Sequence, residues 1–245
     1  DSCGTAFQYE TTKRKNFSGI GKWDTSNVTD MEGLFYKMKD FNEDISAWNT
    51  SKVENMSSMF EDADNFNQSL NNWDVSKVKT MKNMFRGAIS FNQPLNKWNV
   101  SEVMDMEEMF EAAYKFNQNI NSWNVSKVKN MSYMFNSAKE FNQPLDKWNV
   151  SSVEDMTCMF RYTKKFNQPL NSWNVSKVKY TQEMFYEAVS FNQSLNRWNV
   201  SNVKNMARMF CDAKKFNQDL STLEVKGQLL SKVWTYLCSE EKSAA

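Results

Sequence analysis

The chain has 245 residues and an almost balanced charge, with 30 basic and 29 acidic side chains and a net charge of +1. This balance argues against a general nucleic-acid-binding protein, because such domains carry a large basic excess. Histidine is absent, which removes the commonest general base and the usual hydrolytic triads. No apolar run approaches the roughly 18 residues of a transmembrane helix, so we expect no direct membrane span.

Residues 1–22 precede the first regular feature of the chain and begin with DSCGTAFQYE. This segment has neither an initiator Met nor an apolar signal region, so we interpret it as a processed or trimmed end from which any targeting segment is absent. Ile20 lies three residues before Trp23, as Leu or Ile does before later Trp residues. Residues 1–22 are therefore predicted to form an N-terminal cap that ends in a partial repeat.

From Trp23 onward, Trp recurs every 25 residues without an insertion, at Trp23, Trp48, Trp73, Trp98, Trp123, Trp148, Trp173 and Trp198. A fixed period in this range is typical of a solenoid, in which each turn buries its core against its neighbours. We therefore predict eight turns over residues 23–222.

Each turn repeats the same apolar positions, counted from its Trp. In the central turn one group has the spacing of a helix face, with Ser126 as its N-cap: Val128, Met131, Met134, Phe135 and Ala138. The rest of the turn is too short for a second helix and predicts one short strand centred near residues 143–146. The fold class predicted from this pattern is an α/β repeat solenoid, with one short strand and one short helix per turn and a parallel sheet.

Several columns of the repeat are better explained by architecture than by ligand binding. An Asn stands 19 residues after most Trp residues, as at Asn117 and Asn142, and predicts a ladder of stacked amides. The Trp column is predicted to be a buried or half-buried spine rather than a platform for carbohydrate stacking. The Met columns are predicted to fill the core, where an unbranched side chain adapts to its neighbours.

The period decays after Leu220, and residues 223–245 end in the polar tail SEEKSAA. Before this tail, apolar residues recur at helical spacing, at Leu229, Leu230, Val233, Trp234 and Leu237. We predict a C-terminal capping helix here, with a partner-binding amphipathic helix as the alternative.

The repeated string W-[ND]-V-S-x-V-x-x-M-x-x-M-F-x-x-A-x-x-F-N-Q-x-L-N-x covers about Trp23 to Leu223. In this string the chain resembles the BspA-like, mycoplasma-lipoprotein-associated repeat family. The resemblance implies a right-handed, leucine-rich-repeat-like superhelix. It also implies a surface adhesin or interaction module, and it carries no catalytic motif that could be transferred.

Positions that vary between turns are where a binding surface is expected, because packing determines the fixed ones. The turn that begins at Trp98 is acidic amid basic neighbours, and charge balancing between turns explains it as well as cation or partner binding does. Tyr residues at variable positions are candidate anchors for a protein or glycan. The resulting candidate interaction surface comprises Glu102, Asp105, Glu107, Glu108, Glu111, Tyr114, Tyr133 and Tyr162.

The fourth and sixth residues after Trp form a broken basic stripe, at Lys52, Lys77, Lys79, Lys127, Lys129, Lys177, Lys179 and Lys204. This pattern favours a solvated face over a site for an acidic partner.

These observations predict a non-enzymatic solenoid that binds a protein or a surface glycan, without a cofactor and without a metal. The predicted location is extracellular or at the cell surface, and the alternative function is a structural subunit or scaffold of a larger assembly. The four cysteines lack zinc-ligand spacing and leave the compartment open: Cys3, Cys158, Cys211 and Cys238.

Overall fold

The computed structural model describes residues 17–221, 223–225 and 228–229. Each described 25-residue unit forms one turn of a solenoid. The seventh residue after each Trp makes a parallel β-bridge with its equivalent in the next turn, in an unbroken series from Asp30 to Asn205. The chain is therefore a repeat solenoid, as its period predicts.

Regular secondary structure is sparse in the described residues. It consists of a 3-10 helix, Ile20–Lys22, and two antiparallel strands, β1 (Glu224–Val225) and β2 (Gln228–Leu229). No helix in this part of the chain has the length and apolarity needed to cross a membrane. Residues 1–16 and 230–245, which hold most of the two predicted caps, lie outside the described residues, so the capping helix stays a prediction.

The helix predicted within each turn is wrong, and so is the strand predicted near residues 143–146. We number the positions of a turn from its Trp, so that position 7 is the seventh residue after the Trp. The segment from position 7 to position 15 winds as successive tight turns instead of a helix. The N–H groups at positions 8, 10, 12 and 14 donate to carbonyls of the next turn, as Met131 does to Asp155 at 3.0 Å. Those at positions 11, 13 and 15 donate to carbonyls three residues back, as Ala138 does to Phe135. The parallel bridge therefore lies at Asn130, inside the predicted helix.

The error has a physical cause. The buried residues at positions 8, 11, 12 and 15 have the spacing of one helix face, but this coil has the same spacing because positive φ angles recur every four residues. In the central turn these angles are 57° at Tyr133 and 61° at Ser137. Apolar periodicity reports which side chains are buried, and it does not report whether an N–H donates within its own turn or to the next one.

Aromatic rings fill the interior and stack from turn to turn. Phe135 and Phe141 lie with ring centroids 4.1 Å apart within one turn, and Trp123 and Trp148 lie 6.4 Å apart between turns. The indole N–H of Trp148 donates to the carbonyl of Ile120 at 3.0 Å, and the same contact recurs in other turns. The predicted spine is confirmed from Trp48 to Trp198, whereas Trp23 is 43% exposed.

The Asn column forms the predicted amide ladder. Asn117 Oδ1 accepts from the backbone N–H of Asn142 at 2.9 Å and from Gln143 Nε2 at 3.2 Å. Equivalent bonds join neighbouring turns on both sides. These amides are therefore engaged in holding one turn to the next.

Candidate interaction surface

One surface of the solenoid carries most of the variation between turns. We call the side chains at positions 7, 9, 10, 13 and 14 of all eight turns the ladder surface. They flank the backbone hydrogen bonds that join positions 8, 10, 12 and 14 to the next turn. Twelve acidic and five basic residues give it a net charge of −7. Position 10 illustrates the variation, with Gly33, Ser58, Asn83, Glu108, Tyr133, Cys158, Glu183 and Arg208.

The backbone of the ladder surface is strained. Positions 10 and 14 have positive φ, and fourteen of the described residues there are not Gly. The third residue of such a tight turn favours Gly or Asn, and a left-handed conformation costs other residues roughly 1–2 kcal/mol each. The hydrogen bonds to the next turn hold these residues in place, so the outward side chains are presented by a fixed backbone.

Three carboxylates surround one guanidinium on this surface. Arg86 Nη1 lies 2.8 Å from Glu61 Oε1, and its Nε lies 2.8 Å from Glu108 Oε2 and 3.1 Å from Glu111 Oε2. We call these four residues the acidic centre. Its carboxylates are largely buried, with side-chain exposures of 9%, 24% and 18%. The single Arg leaves the group with an excess of negative charge.

Burial and charge shift the proton affinities of this region. Burial, reinforced by the hydrogen bond to Glu111 and its charge, raises the pKa of Glu108 to about 7, against the opposing effect of Arg86. Burial also raises the pKa of Asp105, which stands three residues before Glu108 in the same turn. Burial alone would lower the pKa of Arg86, but its hydrogen bonds to Glu111 and Glu61 raise it. A cation brought to Glu108 would therefore displace a proton near neutral pH.

An uncharged stretch follows in the turn that begins at Trp123. Asn136 is buried and donates from Nδ2 to Glu111 at 2.7 Å, while its Oδ1 has no hydrogen-bond partner among the described residues. Tyr133 and Cys158 interact with each other, and burial is the main cause that raises their pKa values to about 12 and about 11. Both groups are therefore neutral at physiological pH.

The last three turns carry a group of Tyr and Arg side chains. The guanidinium carbons of Arg161 and Arg208 lie 5.3 Å and 4.7 Å from the ring centroid of Tyr186, and Tyr162 meets that ring edge-on at 5.5 Å. Glu183 bridges both Arg residues at 2.9 Å and 3.4 Å. We call these five residues the Tyr–Arg cluster.

The structure places six of the eight predicted site residues on the ladder surface: Asp105, Glu107, Glu108, Glu111, Tyr133 and Tyr162. The other two lie elsewhere. Glu102 at position 4 pairs with Lys127 at 2.7 Å, and Tyr114 at position 16 lies under Lys139 Nζ, 3.8 Å from its ring centroid.

Sequence reasoning missed most of the charged partners on this surface, namely Glu61, Arg86, Arg161, Glu183 and Arg208. Each stands at position 10 or position 13. Reading those two columns together would have found them. Among the described residues, no group of three His, Cys, Asp or Glu could hold a metal ion.

A protein-family model described as "Mycoplasma protein of unknown function, DUF285" matches residues 2–123 and 105–223. No curated protein matches the chain. An internalin (inlF) from Listeria monocytogenes str. 4b F2365 is 10% identical with a TM-score of 0.32, and the match covers 74% of this chain and 56% of the internalin. The leucine-rich repeat domain of APL1B is 6% identical with a TM-score of 0.27, over 98% of this chain and 92% of that domain. Structural similarity at this level does not establish a shared fold.

Proposed function

The chain belongs to the family described as Mycoplasma protein of unknown function, DUF285, and we propose that it is a non-enzymatic module that binds another protein through the ladder surface. One observation carries the proposal. Position 12 is Phe in all eight turns, whereas position 10 has seven residue types. Packing accounts for the constant positions, and it does not require variety on a surface whose backbone is the same in every turn.

The chemistry of the ladder surface suits protein recognition. Tyr and Arg are enriched among the residues that dominate binding energy at interfaces. In the Tyr–Arg cluster these side chains already hold one another through ring and ion-pair contacts, so binding would cost them little conformational entropy. The net charge of −7 favours a basic partner, whose approach it would steer.

We place this module at the cell surface, as part of the same proposal. The support is the resemblance of its repeated string to BspA-like repeats, which occur on surface proteins. The proposal includes a right-handed, leucine-rich-repeat-like winding, with residues 1–22 and 223–245 as caps that cover the ends of the stacked core.

The second candidate is a structural subunit of a larger assembly. It is favoured by the separation of charge on the molecule, because the acidic ladder surface of one copy would complement the basic stripe at positions 4 and 6 of another. This function requires stable association of purified chains, which sedimentation would detect.

Site-specific photo-crosslinking tests the proposed surface. A photoreactive amino acid is placed at Tyr133 or Tyr162 on the ladder surface, or at the exposed control positions Ser122 and Ser172. Each folded variant is mixed with surface proteins solubilised from the native source. We expect a discrete crosslinked product from the two Tyr positions alone, and we expect Glu108→Lys to reduce its yield. Equal labelling at all four positions, or no product at the Tyr positions, would contradict the proposal.

A further inference from the structure

A second charged surface runs beside the ladder surface and has a period of its own. We call the side chains at positions 4 and 6 of the eight turns the lysine stripe. Its eight lysines and three glutamates leave a net charge of +5. Lysines occupy both positions in the turns that begin at Trp73, Trp123 and Trp173, and each preceding turn carries one glutamate, so the charge pattern repeats every 50 residues.

The glutamates bind one lysine of each pair. The three contacts are Lys79 with Glu54 at 2.5 Å, Lys127 with Glu102 at 2.7 Å and Lys179 with Glu154 at 2.6 Å. The other lysine of each pair is exposed and has no salt bridge within the described residues, at Lys77, Lys129 and Lys177. Three exposed lysines without a salt bridge therefore stand two turns apart.

The backbone fixes the spacing of these cations. Lys129 stands at position 6, directly before the residue that forms the parallel bridge between turns, whereas Lys77 and Lys177 stand at position 4, three residues before it. Strands in such a ladder lie about 4.8 Å apart, so two turns span about 10 Å. A ligand that meets all three cations must be linear and must carry negative charges at this interval.

We propose that the lysine stripe binds a linear acidic polysaccharide with one carboxylate or sulfate per disaccharide. Two sugar rings have a length comparable with two turns of the solenoid, so one anionic group falls on each free lysine. Glu102 and Glu154 then lie between anionic groups rather than against them. The site is separate from the ladder surface and does not depend on the function proposed for it.

Two features of the stripe suit a sugar chain. Met104 replaces a lysine at position 6 and is 43% exposed, which offers an apolar contact for the face of a sugar ring. A shallow groove of about 290 Å³ lies between Glu154, Lys177, Lys179, Asn202 and Lys204, and its amide and ammonium groups are suited to hydroxyl and carboxylate ligands.

Charge density argues against nucleic acid as the ligand. Each strand of DNA carries a phosphate about every 3.4 Å of helix axis, so phosphates would also face the glutamates between the lysine pairs. The acidic ladder surface begins at the next residue, position 7. Because electrostatic interactions extend about 8 Å at physiological ionic strength, a polyanion is confined to the stripe and must run parallel to the solenoid axis.

Binding of hyaluronan oligosaccharides of four, six and ten sugars to the intact chain tests the proposal, because hyaluronan has one carboxylate per disaccharide. At physiological ionic strength we expect a clear gain in affinity from four sugars to six, when a third carboxylate reaches the third lysine, and a smaller gain from six to ten. No binding, or binding that is independent of length, would overturn the proposal.

A triple variant separates the stripe from general charge. Lys77→Gln, Lys129→Gln and Lys177→Gln together should weaken hyaluronan binding about tenfold, since three exposed ion pairs each contribute a few-fold. The control removes the same charge from exposed lysines outside the stripe, with Lys115→Gln, Lys164→Gln and Lys215→Gln. An equal loss in both variants would contradict the proposal.

Two competing outcomes are measured with the same proteins. Oligothymidylate of equal length should bind more weakly than hyaluronan. The double variant Glu102→Gln, Glu154→Gln should reduce this difference in affinity between the two ligands. Equal or tighter binding of oligothymidylate to the natural chain would reduce the stripe to a general polyanion surface. If the natural chain does not bind hyaluronan but sediments as a dimer, and the triple lysine variant sediments as a monomer, the stripe is a contact between copies instead.

Discussion

The interior and the ladder surface alternate along the same stretch of chain and follow opposite rules. Positions 10 and 12 lie two residues apart in every turn, yet position 12 is always Phe and position 10 has seven residue types. The Phe ring touches the equivalent rings of both neighbouring turns, so one change would disturb three turns. A side chain at position 10 points away from that stack. The comparison indicates that position 12 of each repeat serves stability, whereas position 10 serves recognition.

The largest expected difference is between the two columns themselves. Phe135→Ala should lower the free energy of unfolding by about 3–5 kcal/mol, because Phe135 is fully buried and its ring contacts both neighbours. Tyr133→Ala, two residues away, should cost clearly less, about 1 kcal/mol, because Tyr133 is only partly buried. Chemical denaturation measures both values. Similar losses for the two variants would contradict the division between columns.

The amide ladder should give the next largest effect. Asn117→Ala removes the acceptor for the backbone N–H of Asn142 and for the side-chain amide of Gln143. Leaving partly buried donors unpaired costs about 1–3 kcal/mol. Hydrogen exchange at Asn142 should accelerate in the same variant. Unchanged exchange together with unchanged stability would show that water replaces the Asn oxygen at no cost.

The strained backbone of the ladder surface predicts substitutions of opposite sign at one position of the repeat. Gly87→Ala should destabilise by about 1–2 kcal/mol, because Gly87 has a φ of 67° and its added Cβ would lie 2.2 Å from Asp62 Oδ1. Ala112→Gly, at the same position of the next turn with a φ of 53°, should stabilise by about 0.5–1 kcal/mol. Thermal unfolding of the two variants provides the comparison, and two shifts of the same sign would contradict the account.

The acidic centre predicts a smaller effect that depends on pH. Because the pKa of Glu108 is raised to about 7, folding favours its protonated form. That stability is fully present below the unfolded pKa near 4.3 and is lost as pH rises through about 7. Glu108→Gln resembles the protonated form, so it should be more stable than the natural chain by about 1–2 kcal/mol at pH 8.5 and by much less at pH 5. Unfolding curves at the two pH values test this, and a gain that does not change with pH would place the cause elsewhere.

Packing made part of the fold readable from the sequence. A period of 25 residues and the burial of Trp148, Met131 and Phe135 follow from repeated apolar residues, because an interior must be filled in the same way in every turn. The coil between positions 7 and 15, where a helix was predicted, was not readable in this way. The expected helix face coincides with the buried face of this coil, whose positive φ angles fall at Tyr133 and Ser137, neither of which is the Gly that would signal such a turn.

The candidate surface was readable only in part, for a related reason. Glu107, Glu108 and Glu111 stand close together in one turn, so their proximity is visible in the sequence. The contacts of Arg161 with Glu183 and of Arg208 with Tyr186 join different turns. Such pairs depend on which position of one turn faces which position of the next, and that register is set by the backbone ladder.

The central claim is that the ladder surface determines binding while the interior determines the fold. The most direct test exchanges the ladder-surface residues of two adjacent turns, Asp105, Glu107, Glu108, Glu111 and Ala112 with Asn130, Ser132, Tyr133, Asn136 and Ser137. The exchange preserves composition, net charge and every residue of the apolar interior. Partner binding is read from a photoreactive group at the unchanged Tyr162. We predict a free energy of unfolding within about 1 kcal/mol of the natural chain and loss of the crosslinked product. Retained crosslinking in the exchanged protein, or failure of that protein to fold, would contradict the claim.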